Sequence, residues 1–196
     1  MNYLAHAYLS FNNPAVLVGN LISDFVKGKQ RFDFPEAIQK GIALHRAIDA
    51  FTDSHAATRE AKALFRPAYR LYSAAFVDVV YDHFLANDEQ HFTDTTLAHF
   101  AACTYAILQQ HHHWLPTGFQ GIFQYMQHQN WLYHYRYPEG TIKSFGGVVR
   151  RARYLTDSKE AALLFQEHYP TLRQCYNAFF PDLLAFAKEQ YAFLTL

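Results

Sequence analysis

Apolar residues recur every three to four positions along most of the chain, which is the pattern of amphipathic helices. The alternation that β-strands require is scarce. Pro14 follows Asn12 and Asn13 and indicates a helix start, and Gly28 indicates the end of a first helix pair. Further helices are predicted over residues 36–51, 58–69, 73–85, 95–113, 119–135, 141–154 and 157–168, followed by a C-terminal one broken near Pro181. The pattern predicts an all-α domain of about eight to ten helices.

Composition supports one compact unit. The chain has 196 residues, of which 51% are hydrophobic, enough for a single core, so residues 1–196 are expected to form one domain. Lys plus Arg and Asp plus Glu each total 17, which argues against bulk attraction to nucleic acid or to an anionic membrane. No signal peptide or membrane-spanning run is apparent, and Cys103 and Cys175 form no motif, so a cytoplasmic protein is expected.

The strongest chemical signal lies in residues 41–53 (GIALHRAIDAFTD). His45, Asp49 and Asp53 follow one another at four-residue intervals and therefore share one face of a helix. His45 and Asp49 also fall inside the apolar stripe marked by Ile38 and Ile42. Carboxylates are expensive to bury unless they are paired or bound to a metal, so this pattern indicates part of a site.

Two other helices repeat this feature. His83 lies within an apolar stripe with Asp82 at its edge, and Asp24 shares a face with Leu17 and Leu21. Each inward polar residue alone is more often a hydrogen-bonded core residue. Three such helices together favour convergence on one interior site.

Imidazole and carboxylate groups in this combination suit Mn²⁺, Fe²⁺, Zn²⁺ or Mg²⁺, and the excess of oxygen ligands argues against a structural zinc site. A metal bound to such groups activates water and polarises a phosphoryl oxygen, so hydrolysis of a phosphate ester is the expected chemistry. Arg46 is either a phosphate contact or a surface arginine.

Several motifs, in order, carry a family resemblance. They are residues 1–6 (MNYLAH), 19–28 (GNLISDFVKG), 41–49 (GIALHRAID), 51–53 (FTD) and 81–85 (YDHFL), with further similarity through 130–132 and 140–151. Together they resemble the acyl carrier protein phosphodiesterase family over nearly the whole chain. That family is distantly similar to the all-helical HD-domain phosphohydrolases, which implies an HD-domain-like fold. Here the adjacent pair is Asp82-His83, the reverse of the His-Asp dyad, so ligands cannot be assigned by HD analogy.

The resemblance implies hydrolysis of the phosphodiester that joins 4′-phosphopantetheine to a serine of holo acyl carrier protein. The products are the apo carrier and free 4′-phosphopantetheine, and Mn²⁺ is the favoured metal, with Mg²⁺ or Fe²⁺ as alternatives. A related phosphate ester is not excluded as the substrate.

The sequence indicates more than one role for several of these residues. The expected metal ligands, or the residues that orient them, are Asp24, His45, Asp49, Asp82 and His83. His6 is a candidate ligand or general acid, with a packed core histidine as the alternative. Asp53 is a candidate base towards water or an orienting residue.

An acidic carrier protein requires basic residues near the site. Two clusters are candidates for docking, and the alternative for both is ordinary solvation of helix ends: Lys27, Lys29 and Arg31, and Arg150 with Arg151. Two other functions stay open, an HD-like hydrolase of a nucleotide or other small phosphate ester and a non-enzymatic helical binding module.

Overall fold

The computed structural model describes all 196 residues, and they form eleven α-helices without a β-strand. The predicted all-α class is confirmed, with one more helix than the expected range. The helices are α1 (Tyr3–Tyr8), α2 (Pro14–Ile22), α3 (Glu36–Ser54), α4 (Ala56–Tyr69), α5 (Ser73–Ala86), α6 (Asp94–Gln110), α7 (Thr117–His128), α8 (Trp131–His134), α9 (Pro138–Arg151), α10 (Lys159–Glu167) and α11 (Tyr169–Thr195).

Helix α2 begins as the sequence predicts. The Asn13 side chain accepts a hydrogen bond from the Val16 amide at 3.2 Å, and Pro14 occupies the first turn. The helix ends at Ile22, and a 3-10 turn, Ser23–Phe25, places Asp24 just beyond it. A second 3-10 turn follows, Gly28–Asp33, in which Gly28 has φ of +54°.

Three predicted boundaries are wrong, the first being the helix end at Gly28, because α2 already ends at Ile22. Helix α11 runs through Pro181 without a break, because the buried Phe180 and Leu183 on either side hold the helix against the core. The predicted helix over 119–135 is instead two helices, since Asn130 adopts the left-handed conformation with φ of 46°. A helical pattern in side chains does not reveal one left-handed residue.

The core is one cluster of 49 buried apolar residues. Helix α3 packs against α2, α4 and α11, while α1 lies against α2 and α5. This arrangement brings the polar residues of α1 and α3 to the same place beside the end of α2. None of the helices combines the length and hydrophobicity that crossing a bilayer requires.

Candidate metal centre

Three side chains from α1 and α3 meet beside the end of α2. The potential ligand atoms of His6, His45 and Asp49 all lie within 4.8 Å of one another. The rings of His6 and His45 stack with their centroids 4.0 Å apart and an interplanar angle of 15°. We call these three residues the His-His-Asp group.

The group is closed by the core on one side and open to solvent on the other. Both histidines are buried, whereas the Asp49 side chain is 41% exposed. The Nε2 atom of His45 lies 3.0 Å from Asp49 Oδ2 and 3.3 Å from Asp24 Oδ1, and Asp24 is largely exposed. Asp24 is therefore a fourth potential ligand residue, and the second carboxylate, at the solvent side.

Asn20 holds a proton on the Nδ1 atom of both imidazoles. Its side-chain amide nitrogen donates to the His6 carbonyl and to Ser10 Oγ, so its Oδ1 is the acceptor for His6 Nδ1 at 2.7 Å. The Asn20 backbone carbonyl accepts a hydrogen bond from His45 Nδ1, also at 2.7 Å. Because both Nδ1 atoms are donors, each neutral ring presents an Nε2 lone pair to the carboxylates.

Two glycines allow this contact by bringing α2 and α3 unusually close. A Cβ atom on Gly19 would lie 2.0 Å from the Ile38 carbonyl oxygen, and one on Gly41 would lie 2.2 Å from the Val16 carbonyl oxygen. Only glycine fits at these positions. The crossing places the Asn20 carbonyl against His45, one helical turn beyond Gly41.

Charges in the group are strongly coupled. Burial lowers the pKa of His45, but hydrogen bonds to Asp24 and Asp49 outweigh burial and raise the pKa to about 9. Burial and the neighbouring His45 charge lower the pKa of His6 to about 4. Although burial opposes it, the hydrogen bond to His45 and the positive charge of the Met1 amino group hold the pKa of Asp49 far below its usual range.

The donor set fits a divalent cation. His6 Nε2 lies 3.2 Å from Asp49 Oδ1, yet this buried nitrogen forms no well-aligned hydrogen bond. With the proton on Nδ1, two lone pairs face each other across this distance, and a cation between them would relieve the repulsion. Two imidazoles with one or two carboxylates suit Mn²⁺, Fe²⁺ or Zn²⁺.

Asp82 and His83 lie outside the His-His-Asp group. The Asp82 carboxylate accepts hydrogen bonds from the amides of Leu4 at 2.7 Å and Ala5 at 3.1 Å, which are free donors at the start of α1. Asp82 thus anchors the helix that carries His6.

His83 makes two hydrogen bonds elsewhere. Its Nδ1 donates to the Tyr135 carbonyl at 2.7 Å, and its Nε2 lies 2.9 Å from the Tyr169 hydroxyl. Both ring nitrogens are therefore engaged inside the helix packing, away from Asp49.

Asp53 and Arg46 flank the group on the surface of α3. Asp53 is exposed, one turn beyond Asp49, and its Oδ1 lies 3.1 Å from the Lys62 ammonium. Arg46 is also exposed, and its guanidinium donates to the Val26 carbonyl at 3.1 Å, close in sequence to Asp24.

The basic residues predicted for docking lie in two places. Lys27 precedes the second 3-10 turn, Gly28–Asp33, and Lys29 and Arg31 lie within it; the two lysines are exposed. Arg150 and Arg151 end α9 and line a separate cleft.

The sequence pattern does not reveal two polar contacts of the centre. Asn20 is fully buried, and its only sequence signal is a polar residue within the apolar run of α2. The α-amino nitrogen of Met1 lies 3.0 Å from Asp78 Oδ1 and 3.4 Å from Asp49 Oδ1. No spacing rule connects Met1 to α3 and α5, because that contact is tertiary.

Comparison with known proteins gives a consistent result. Residues 1–183 match the family model described as acyl carrier protein phosphodiesterase. The acyl carrier protein phosphodiesterase of Yersinia pestis is 30% identical over 191 residues, which cover 97% of this chain and 99% of that protein. The protein of the same name from Klebsiella pneumoniae subsp. pneumoniae is 31% identical over 194 residues, covering 97% and 99%. No solved structure matches. The chain belongs to the acyl carrier protein phosphodiesterase family.

Proposed function

We propose that this protein hydrolyses the phosphodiester between 4′-phosphopantetheine and the serine of holo acyl carrier protein, in a metal-dependent reaction. The observation that carries the proposal is the His-His-Asp group, whose two Nε2 atoms face the Asp49 carboxylate at a solvent-exposed edge. The names of the relatives supply the substrate.

His6, His45 and Asp49 would hold the metal, with Asp24 beside them. A divalent metal there, Mn²⁺ first and Mg²⁺ or Fe²⁺ as alternatives, supplies Lewis-acid polarisation of the phosphoryl oxygen and lowers the pKa of bound water. Asn20 keeps both imidazoles in the ligating tautomer.

Neighbouring residues have supporting roles in the proposal. Arg46, on the helix face next to His45, is placed to contact the phosphate with its planar fork once it leaves the Val26 carbonyl. Asp53 can accept a proton near the centre, although its ion pair with Lys62 must loosen first. Asp82 supports His6 through α1, and His83 has no proposed part in the reaction.

Docking of an acidic carrier protein is proposed at Lys27, Lys29 and Arg31. Their closeness to Asp24 in sequence supports positive charge near the open side of the centre. Electrostatic complementarity of this kind raises the association rate and orients the partner.

The test is incubation of the protein with holo acyl carrier protein and Mn²⁺, followed by intact-mass analysis of the carrier. We expect loss of one phosphopantetheine mass with Mn²⁺ and no loss with EDTA. His45→Ala should abolish the reaction, whereas the matched control His128→Ala, at an exposed position on α7, should retain it.

Other outcomes would identify the alternatives. Turnover of a nucleotide panel with Mn²⁺, without a carrier, would support a small-molecule phosphohydrolase. A folded protein that neither binds Mn²⁺ nor acts on either substrate would support a binding module. Unchanged activity in His45→Ala would contradict the proposed centre.

A further inference from the structure

A polar cleft opens between the first residues of the chain, α8 and α9. The cleft is partly open to solvent. One wall is a single face of α9, since its residues follow one another at helical spacing: Gly140, Lys143, Ser144, Gly147, Arg150 and Arg151. Trp131 and Tyr3 contribute aromatic surface on the other side.

The cleft carries three unpaired cations. The ion pairs that lysine and arginine side chains form in this protein are Lys40–Glu36, Lys62–Asp53 and Arg136–Asp94, and none involves α9. Lys143, Arg150 and Arg151 are exposed, and no acidic residue lines the cleft. Such a site favours an anion, and the planar forks of two arginines suit phosphate oxygens.

Solvation of the helix end does not explain this arrangement. Arginines near the end of α9 complement the helix dipole, but Lys143 lies two turns earlier on the same face. The Arg150 guanidinium folds back over two glycines: a Cβ on Gly147 would lie 3.7 Å from one of its nitrogens, and a Cβ on Gly146 3.8 Å from the other. These distances are ordinary van der Waals separations, so the Arg150 guanidinium lies directly over the backbone of the two glycines.

Tyr3 connects the cleft to the metal centre. It begins α1, one turn before His6, and its ring packs against Trp131 with centroids 6.4 Å apart. Burial raises the pKa of the Tyr3 phenol, and the charges of Arg151 and Asp24 act on it in opposite directions. The same phenol is therefore within electrostatic reach of a cleft cation and of a candidate ligand.

We propose that this cleft binds the phosphate end of a small organic phosphomonoester, with Lys143, Arg150 and Arg151 around the phosphate and Trp131 against the organic chain. The identity of that ligand rests on the proposed function, which makes it the released 4′-phosphopantetheine. Arg150 and Arg151 then recognise the small product instead of the carrier protein surface.

Binding is measured without metal, so that the result does not depend on hydrolysis. Trp114→Phe leaves Trp131 as the one tryptophan, and its fluorescence reports occupation of the cleft. The probes are 4′-phosphopantetheine and pantetheine, which lacks the phosphate. We expect 4′-phosphopantetheine to change Trp131 emission, with a Kd about tenfold or more below that of pantetheine.

Variants in this background assign the site. Arg150→Ala/Arg151→Ala should raise the Kd for 4′-phosphopantetheine about tenfold or more. Arg151→Lys should give a Kd between that of the double variant and that of the parent protein. Arg153→Ala is the matched control, because Arg153 lies over the Tyr154 ring and does not line the cleft, and it should leave the Kd unchanged. Tyr3→Phe removes the phenol hydroxyl and keeps the ring, so the Kd of this variant measures the contribution of the hydroxyl to binding.

Equal affinity for the two probes, or an unchanged Kd in Arg150→Ala/Arg151→Ala, would overturn the proposal. Since these side chains are exposed, the fold should survive their removal, and an unchanged melting temperature checks this point. Binding of 4′-phosphopantetheine by a protein that does not hydrolyse holo carrier would leave the cleft standing and refute the proposed reaction. Hydrolysis of holo carrier by a protein whose cleft does not bind 4′-phosphopantetheine would refute the cleft proposal and support the proposed reaction.

Discussion

At the scale of single residues, Asn20 is not a proposed metal ligand, but it orients both histidines that are. Its two oxygens hold the Nδ1 protons of His6 and His45. We expect Asn20→Ala to weaken Mn²⁺ binding about 10- to 100-fold, because the His6 ring loses the side-chain oxygen that orients it, while the backbone carbonyl that accepts from His45 remains. Loss of the buried hydrogen bonds should also destabilise the fold by about 1–3 kcal/mol. Calorimetric titration with Mn²⁺ and urea unfolding measure the two effects.

Asn13→Ala is the matched control on the same helix. Asn13 caps α2 and does not contact the histidines, so its loss should cost about 1 kcal/mol of stability without changing Mn²⁺ affinity. If both variants lost affinity in proportion to stability, the proposed control of the tautomers would be refuted.

His45 makes metal binding depend on pH. Its pKa of about 9 means that the metal-free protein carries a proton on Nε2 at neutral pH, whereas His6, with a pKa of about 4, does not. Binding must displace the His45 proton, so Mn²⁺ affinity should rise about tenfold per pH unit from pH 7 and level off near pH 9. Titration calorimetry in buffers of different ionisation enthalpy should detect release of about one proton at pH 7. Release of none would show that His45 is not a ligand.

At the scale of elements, the crossing of α2 and α3 determines whether the ligands meet. A methyl group on Gly41 would collide with backbone atoms of α2 and separate the helices. We expect Gly41→Ala to destabilise the fold by about 1–3 kcal/mol and to weaken Mn²⁺ binding, because the Asn20 carbonyl moves away from His45. Urea unfolding and metal titration test both effects.

Gly121→Ala provides the comparison for that prediction. A Cβ at Gly121 meets nothing within 4 Å, and the residue is exposed on α7. Alanine there should stabilise the protein by about 0.5–1 kcal/mol. Equal behaviour of the two variants would contradict the steric account of the crossing.

At the scale of the whole molecule, the net charge is zero, so attraction of an acidic carrier must come from a local patch. We expect Lys27→Glu/Lys29→Glu to raise the KM for holo acyl carrier protein about tenfold with little change in kcat, and salt should reduce the difference from the parent protein. Steady-state kinetics at several ionic strengths measure both effects. Lys188→Glu, an equally exposed change on α11, should leave KM unchanged, and a similar rise there would remove the case for a specific docking patch.

Much of the fold is a property of the sequence itself. Helical periodicity predicts the all-α class, and the cap at Asn13 with Pro14 predicts the start of α2. The four-residue interval between His45 and Asp49 places their side chains on one face of α3, and the resulting contact of 3.0 Å is local. These features were predictable because each depends on residues within one or two turns of each other.

Which inward residues share a site was decided only by the tertiary structure. His45 and His83 give the same local signal, a histidine within an apolar stripe, yet His45 meets Asp49 and His6 while His83 meets Tyr169. Helical periodicity states that a side chain faces inward but not which helix it will meet there. That choice depends on contacts distant in sequence, above all the approach of Gly19 to Gly41, which brings the chain around Asn20 to the His-His-Asp group.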